Sequence, residues 1–341
     1  MISTYKKTIS RFFVFVMAKS PQKKQNMGNK SLQKGKNIND FKTSIILVNY
    51  NSTNYTIDCI YSIRKRTSKS ETYEIIVVDN NSRTDEREKL KDWLNRNEQS
   101  EIKKIFLKKN KGFTGGNMEG VKIAKGKYIY LLNNDCILIN DVISILCDFM
   151  DNNKNVAAVS PQMLNDEGNP VPAFSYMPTV YNKWFGNKVA NLTNPTKYPY
   201  RKKVYKQPIK VEVITGASMF LRNTSFYDIG YMDISYFLYL EEEDLCMNFA
   251  RHNYDIYHVP EAVIQHFGSK STIRNLDISR EYYISLCYFL RKWYTQSEYQ
   301  IIKTRYIIRE LFGSIRSKDR FKLFLFLLKG APQKYSLRYK Q

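Results

Sequence analysis

Apolar residues along this chain fall mainly in short unbroken runs. Each run is followed by a polar break and then by apolar positions at helical spacing. "SIILVNY" (Ser44–Tyr50) is the first run. Thr53–Arg66 follows, with Ile57, Ile60 and Tyr61 on one face and Arg64 one turn on. "YEIIVVDNNS" (Tyr73–Ser82) predicts a second strand closing in polar residues, and Arg83–Arg96 a helix facing inward through Leu90, Trp93 and Leu94. "IKKIFL" (Ile102–Leu107) is a third strand. "TGGNMEGVKIAKG" (Thr114–Gly126) is a helix entered through glycines and ended by Gly126. "KYIYLLNND" (Lys127–Asp135) is a fourth strand, Asp141–Asn152 a helix and "VAAVSP" (Val156–Pro161) a fifth strand. Continuous apolar strands are expected where both faces of a sheet are covered. Their alternation with helices predicts an α/β fold with a mostly parallel sheet flanked by helices, whose functional residues collect beyond the strands' carboxyl ends.

The pattern then loosens. Residues 161–210 carry Pro161, Pro170, Pro172, Pro178, Pro195, Pro199 and Pro208 among many Tyr and Asn, which reads as a loop-rich insertion facing a site or partner. "VEVITGASMFLR" (Val211–Arg222) returns to strand character. Residues 241–269 predict a helix beginning in acids, a turn and two short strands, and residues 276–296 and 298–328 predict helices rich in Tyr, Phe, Lys and Arg. No internal repeat is visible. The expected organisation is a disordered basic leader over 1–40, a catalytic domain over 41–274 and a helical, basic and aromatic extension over 275–341.

Composition supports a folded chain: 341 residues at 43% hydrophobic and 14% aromatic can bury a sizeable core. The net charge of +22 first suggests a nucleic-acid partner, but its distribution argues otherwise. Residues 1–40 hold nine Lys and Arg against Asp40, a net +8, and residues 291–341 hold thirteen against Glu298, Glu310 and Asp319, a net +10. Only +4 is left for residues 41–290. Basic ends fit an anionic membrane surface or a nucleic-acid backbone, or serve as solvated tails. "YYISLCYFLRKWY" and "FKLFLFLLKG" combine aromatics, aliphatics and cations as an interfacial helix does, or as a helix packed on the catalytic domain does. The latter and "RFFVFVM" are too short to span a bilayer. The five cysteines lack CxxC spacing, which argues against a disulfide framework or zinc site and for a reducing compartment. The expectation is a cytoplasmic protein in peripheral contact with the inner face of an anionic membrane.

Polar clusters close the predicted strands at Asn49–Asn51, Asp79–Asn81 and Asn133–Asp135, and a fourth opens the helix at Glu241–Asp244. Any one could simply end a strand, and acids at a helix start also complement the dipole; four on one sheet edge make a constellation. "NKGFTGGN" (Asn110–Asn117) places glycines before a helix, where backbone can approach a phosphate. It is neither GxGxxG nor a P-loop. A lone His266 is a satisfied structural residue or, with Asp135, half of a site for Mn²⁺ or Mg²⁺ beside diphosphate oxygens.

From Thr43 to about Ser271, these motifs in this order resemble the family-2 inverting glycosyltransferases of the GT-A fold, and the rhamnosyltransferase-like branch in particular. "SIILVNYN", "EIIVVDNNS" and "NKGFTGGN" are similar to the nucleotide-binding segments. The resemblance therefore implies donor contacts from Asn49, Tyr50, Asn51, Asp79, Asn81, Gly115, Gly116, Asn117 and Asn134. "LLNNDCIL" resembles the DxD metal motif with Asn in place of its first Asp, implying Asp135 and the downstream His266 as ligands of Mn²⁺ or Mg²⁺. "TGASMFLR" resembles the strand before the acceptor site. "YLEEEDLC" resembles the catalytic Glu-Asp-x-Asp-Leu segment, with Glu242 where Asp is usual. The base is then Glu242 or Glu241, and Asp244 matches the second acid. The implied activity moves a sugar from dTDP-rhamnose or a UDP-sugar to a glycan or lipid-linked acceptor in cell-surface polysaccharide synthesis. Two other classes compete. A nucleotidyltransferase would carry an early Gly-rich basic loop, which "VNYNSTNY" lacks. A nucleic-acid-binding protein would leave the acid clusters unexplained, and no nucleic-acid partner is expected.

Overall fold

A computed structural model describes residues 41–97, 99, 101–268 and 275–340. The leader expected over 1–40 and the 274/275 boundary lie outside the described residues. The order begins β1 (Thr43–Asn49), α1 (Thr53–Arg66), β2 (Tyr73–Asp79), α2 (Thr84–Arg96), β3 (Ile102–Phe106), α3 (Gly112–Val121) and β4 (Tyr128–Asn133). β5 (Cys136–Leu138), α4 (Val142–Asn152) and β6 (Val156–Leu164) follow. The insertion holds β7 (Pro170–Val171), β8 (Phe174–Ser175), α5 (Val180–Thr193) and β9 (Ile209–Lys210). Then come β10 (Val213–Ile214), β11 (Ser218–Arg222), α6 (Asn223–Asp228), α7 (Glu241–Arg251) and β12 (Asp255–His266). α8 (Leu276–Trp293), α9 (Gln296–Ser314) and α10 (Lys318–Leu328) precede two short 3₁₀ turns.

The main sheet runs β3-β2-β1-β4-β11-β6-β12-β5, with β7 on β6 and β9 on β12. β3, β2, β1 and β4 are mutually parallel, as the strand–helix alternation requires. β11 enters antiparallel between β4 and β6, so the sheet is mixed and mostly parallel, as expected. Side chains alternate across it. Ile45 and Leu47 bury on the face covered by α1, α2 and α4, and Ile46 packs on the other, under α3. A Cβ on Gly120 would lie 2.6 Å from Ile46 Cγ2, so that glycine is what lets α3 sit close on β1.

Three expectations change. The glycines of "NKGFTGGN" do not precede the helix; α3 starts at Gly112 and contains them. β12 is one strand whose pairing with β6 slips between Val259 and Val263, at Pro260, so it behaves as two short ladders. The segment "YYISLCYFLRKWY" is core: Tyr283, Leu286, Phe289 and Leu290 in α8 are buried against the catalytic body, which takes it out of contention as an interfacial helix. No described helix is long and apolar enough to cross a membrane.

Candidate active site

Parallel β1, β2 and β4 end on one edge, and their terminal side chains knit the loops there. Buried Asn49 accepts from Thr56 Oγ1 (2.9 Å) and donates to Ser82 Oγ (3.1 Å). The same Ser82 Oγ accepts from the Asn51 amide, and Asn51 Oδ1 accepts from the Arg83 amide. Asp79, fully buried, accepts from the Ser82 amide at 3.0 Å. Asn51 and Asn81 take left-handed backbone (φ 55° and 66°), which Asn tolerates better than most residues. Tyr50 and Asn81 are exposed. Asn134 donates through Nδ2 to Ser52 Oγ and Thr56 Oγ1 and so ties the end of β4 to the start of α1. Asn80, a neighbour of the predicted residues, governs the glycine segment. Its Oδ1 accepts from the Lys111 amide, and its Nδ2 donates to Asn110 Oδ1 and the Gly112 carbonyl. Gly116 faces β1, where a Cβ would lie 3.0 Å from Val48 Cγ1. Gly115 is buried beside Lys111, and Asn117 donates to its own helix at Phe113 O.

The polar break in "LLNNDCIL" is a turn that reverses the chain into β5. β5 pairs antiparallel with β12, and the pairing sets His266 opposite Cys136. His266 Nε2 thereby reaches Asp135 Oδ1 at 3.2 Å, and the Phe267 amide donates to the Asp135 carbonyl. Asp135, Cys136 and His266 form a compact group whose ligand atoms lie within 4.8 Å of one another. Cys136 is poorly suited to ligation. Its thiol is fully buried, burial pushes its pKa well up, and it donates to Ala217 O. A carboxylate oxygen, the donor type that suits Mn²⁺ and Mg²⁺, and an imidazole nitrogen, which suits transition metals, remain as a pair that could hold a divalent cation.

Residues 215–217 join this corner to the acidic helix. Ala217 O accepts from the Asn133 amide, and Gly216 lies against the Glu242 side chain, where a Cβ would stand 3.6 Å from its carboxyl carbon. Tyr239 and Leu240, at φ 73° and 66°, turn the chain into α7. Glu241, Glu242 and Glu243 each keep a buried Oε2 with no hydrogen-bond partner among the described residues. Burial raises all three pKa values. The charge of Glu242 adds to the effect on Glu241 and on Glu243, which is pushed up to about 8 although Lys183 and Arg201 pull it back. Glu242 is raised by burial but eased by the Gly216 amide, so it is better placed than Glu241 to carry negative charge.

Asp244, the predicted second acid, has its hydrogen bonds filled. It accepts from Tyr236 OH (2.9 Å), Lys292 Nζ (2.9 Å) and Trp293 Nε1 (2.6 Å), which fastens α7 to α8. Lys292 and Trp293 lie 48 and 49 residues downstream, beyond the reach of local spacing. Asn80 was missed because "DNN" offers three polar residues of similar kind.

Comparison with known proteins follows the same outline. Residues 44–230 match the family described as glycosyl transferase family 2. An uncharacterized glycosyltransferase of Rickettsia felis is 31% identical over 153 residues, covering 45% of this chain and 23% of its own; the chain thus spans about a quarter of that relative's length. The low-salt glycan biosynthesis hexosyltransferase of Haloferax volcanii is 26% identical over 298 residues, 80% of this chain and 89% of its own. Among solved structures, GalNAc-T7 with UDP, GalNAc and Mn²⁺ superposes with a TM-score of 0.52 at 13% identity, over 73% of this chain and 50% of that one, a likeness of fold.

Proposed function

The chain belongs to glycosyl transferase family 2 and has a GT-A-like α/β fold, and on that premise we propose that it is an inverting hexosyltransferase using a nucleotide-diphosphate sugar. The observation carrying the reading is the pair of Asp135 and His266 at 3.2 Å, at the carboxyl edge of the sheet and linked through residues 215–217 to a buried carboxylate. The Haloferax relative, similar over most of both chains, supports hexosyl transfer into a glycan. dTDP-rhamnose or a UDP-sugar is the proposed donor, and a glycan or lipid-linked glycan the acceptor.

Asp135 and His266 are the residues that would hold Mn²⁺ or Mg²⁺. When bound, such an ion supplies positive charge to the diphosphate and Lewis acidity for its departure. Glu242 takes the acceptor hydroxyl's proton on its carboxylate. The hydroxyl oxygen forms its bond to the anomeric carbon as that carbon's bond to the diphosphate oxygen breaks, and single displacement inverts the configuration. Glu243, protonated near neutral pH, keeps a second negative charge away from Glu242. Asn49, Asn51, Asp79 and Asn134 fix the loops that the nucleotide would meet, and Tyr50 and Asn81 present exposed side chains to it.

Glu242→Gln keeps the shape but cannot accept a proton. Turnover should fall roughly 10²–10⁴-fold while donor still raises thermal stability in the presence of Mn²⁺. Near-normal turnover in Glu242→Gln together with loss in Glu241→Gln would move the base to Glu241. Retention in both would overturn the mechanism.

A further inference from the structure

α9 buries one stripe, Tyr299, Ile302, Tyr306 and Glu310, against the enzyme. Its opposite stripe is also apolar. Ile301, Ile308, Phe312 and Ile315 recur at seven-, four- and three-residue steps and all face solvent, Phe312 at 68% and Ile315 at 81% exposure. At its amino end the stripe meets α5, because Trp184 Nε1 donates to Ile301 O. Trp184 and Phe185 are themselves exposed, Phe185 at 64%. At its carboxyl end the short turn after Ile315 leads into α10, whose Phe321, Leu325 and Leu328 form a second exposed stripe. A surface this rich in large apolar groups marks a contact site.

Charge selects the contact. Exposed Lys188, Lys318 and Lys322 lie on α5 and α10, exposed Arg316 and Lys329 flank α10, and residues 291–341 carry a net +10. A second copy would bring the same positive charge against itself. An anionic bilayer surface offers apolar depth for the aromatics and phosphate for the cations. We propose that α5, α9 and α10 together form a face that lies on an anionic membrane. The sequence points to the basic ends, but the described contact is composite: part of "FKLFLFLLKG" packs inward through Leu323, Phe326 and Leu327, and the insertion supplies Trp184 and Phe185. Resting on the proposed function, the placement has a consequence. Tyr306 of α9 hydrogen-bonds Tyr282 at 3.3 Å, and the Tyr282 ring meets Tyr239 just before the acidic helix, so a lipid-borne acceptor would be presented on that side.

The test uses the full chain, leader included, and point variants. Deleting α10 would strip buried Glu310 of Arg320 (2.9 Å) and unfold more than the face. Co-sedimentation is measured with phosphatidylglycerol–phosphatidylcholine vesicles and with phosphatidylcholine alone. The wild type should bind the anionic vesicles, less so at high salt. Phe312→Glu/Ile315→Glu and Trp184→Ala/Phe185→Ala should each lower the partition coefficient by roughly tenfold or more, with unchanged melting temperature and unchanged Mn²⁺-dependent donor binding in solution. Binding that persists in both double variants would assign it to another segment and overturn the proposal. So would absence of wild-type binding, or a dimer in sedimentation velocity that Phe312→Glu/Ile315→Glu dissolves. Donor binding reads the catalytic assignment separately, so either idea can fail alone.

Discussion

Replacing Asp244 by Ala separates anchoring from chemistry within the acidic segment. The carboxylate is 3% exposed and accepts from three donors on two elements. Their losses differ. Lys292 keeps Asp233 at 2.8 Å, so its charge is not stranded. Tyr236, 1% exposed, has its hydroxyl left without that acceptor, a cost of about 1–3 kcal/mol. The half-buried Trp293 loses a charge-assisted bond of about 1.5–3 kcal/mol net. Burial raises the Asp244 pKa despite these partners, so removing the carboxyl recovers some desolvation, and the sum is about 3 kcal/mol. For a body of this size that is a fall in Tm of roughly 4–6 °C. Differential scanning fluorimetry reads it directly, and turnover measured well below the new Tm should fall less than about tenfold, against roughly 10²–10⁴ for loss of the base. An unchanged Tm with turnover abolished would refute the reasoning and return Asp244 to the chemistry.

Glu243 makes stability depend on pH. Its folded pKa of about 8 lies above its ordinary value of 4.5, so the fold binds more protons than the unfolded chain between those values and loses stability as pH rises through that window. Glu243→Gln should flatten the fall in urea midpoint between pH 5 and pH 8; an unchanged profile would refute the raised pKa. Gly112 stands at φ +73° with Phe237 O where a Cβ would go, whereas Gly168 (φ +82°) has open space around it. Gly112→Ala should therefore cost at least about 2 kcal/mol in urea unfolding and Gly168→Ala about 1, equal losses arguing against the contact. Asp135→Ala and His266→Ala should weaken Mn²⁺ binding in calorimetry roughly tenfold or more, and Cys136→Ala should leave it unchanged; the reverse order would make the thiol the ligand.

Much of the sheet was legible because its strands are buried on both faces and read as unbroken apolar runs. The helix Thr53–Arg66 has the bounds its spacing predicts. β5 was not legible: three residues after a polar turn carry no periodicity, and what defines them is pairing with β12, some 130 residues on. The direction of β11 was hidden for the same reason, since an antiparallel neighbour and a parallel one bury the same side chains. α5 was masked by the prolines around it, and its kink at Gly186 interrupts the period that would have revealed it. The glycine segment was seen and its surroundings were not, because close packing of α3 on β1 and approach to a phosphate call for the same residue.

The carboxyl-terminal helices matter to the chemistry through what they hold. Residues 233–240 lead into α7, and α8 grips them repeatedly. Ser285 Oγ donates to Leu238 O at 2.8 Å, Tyr288 OH and Lys292 Nζ donate to Asp233, and Arg338 reaches the carbonyls of Ile234 and Ser235. The same stretch turns through left-handed backbone at Tyr239 and Leu240, a conformation that costs free energy at each non-glycine residue and persists only where surrounding contacts impose it. From the other side, Phe237 O receives the Phe113 amide at 2.8 Å, so the glycine segment presses on the same loop. Glu242 is thus set by a strained turn clamped between α3 and α8. The extension that the sequence separates from the catalytic domain is, physically, the support on which the acidic helix starts.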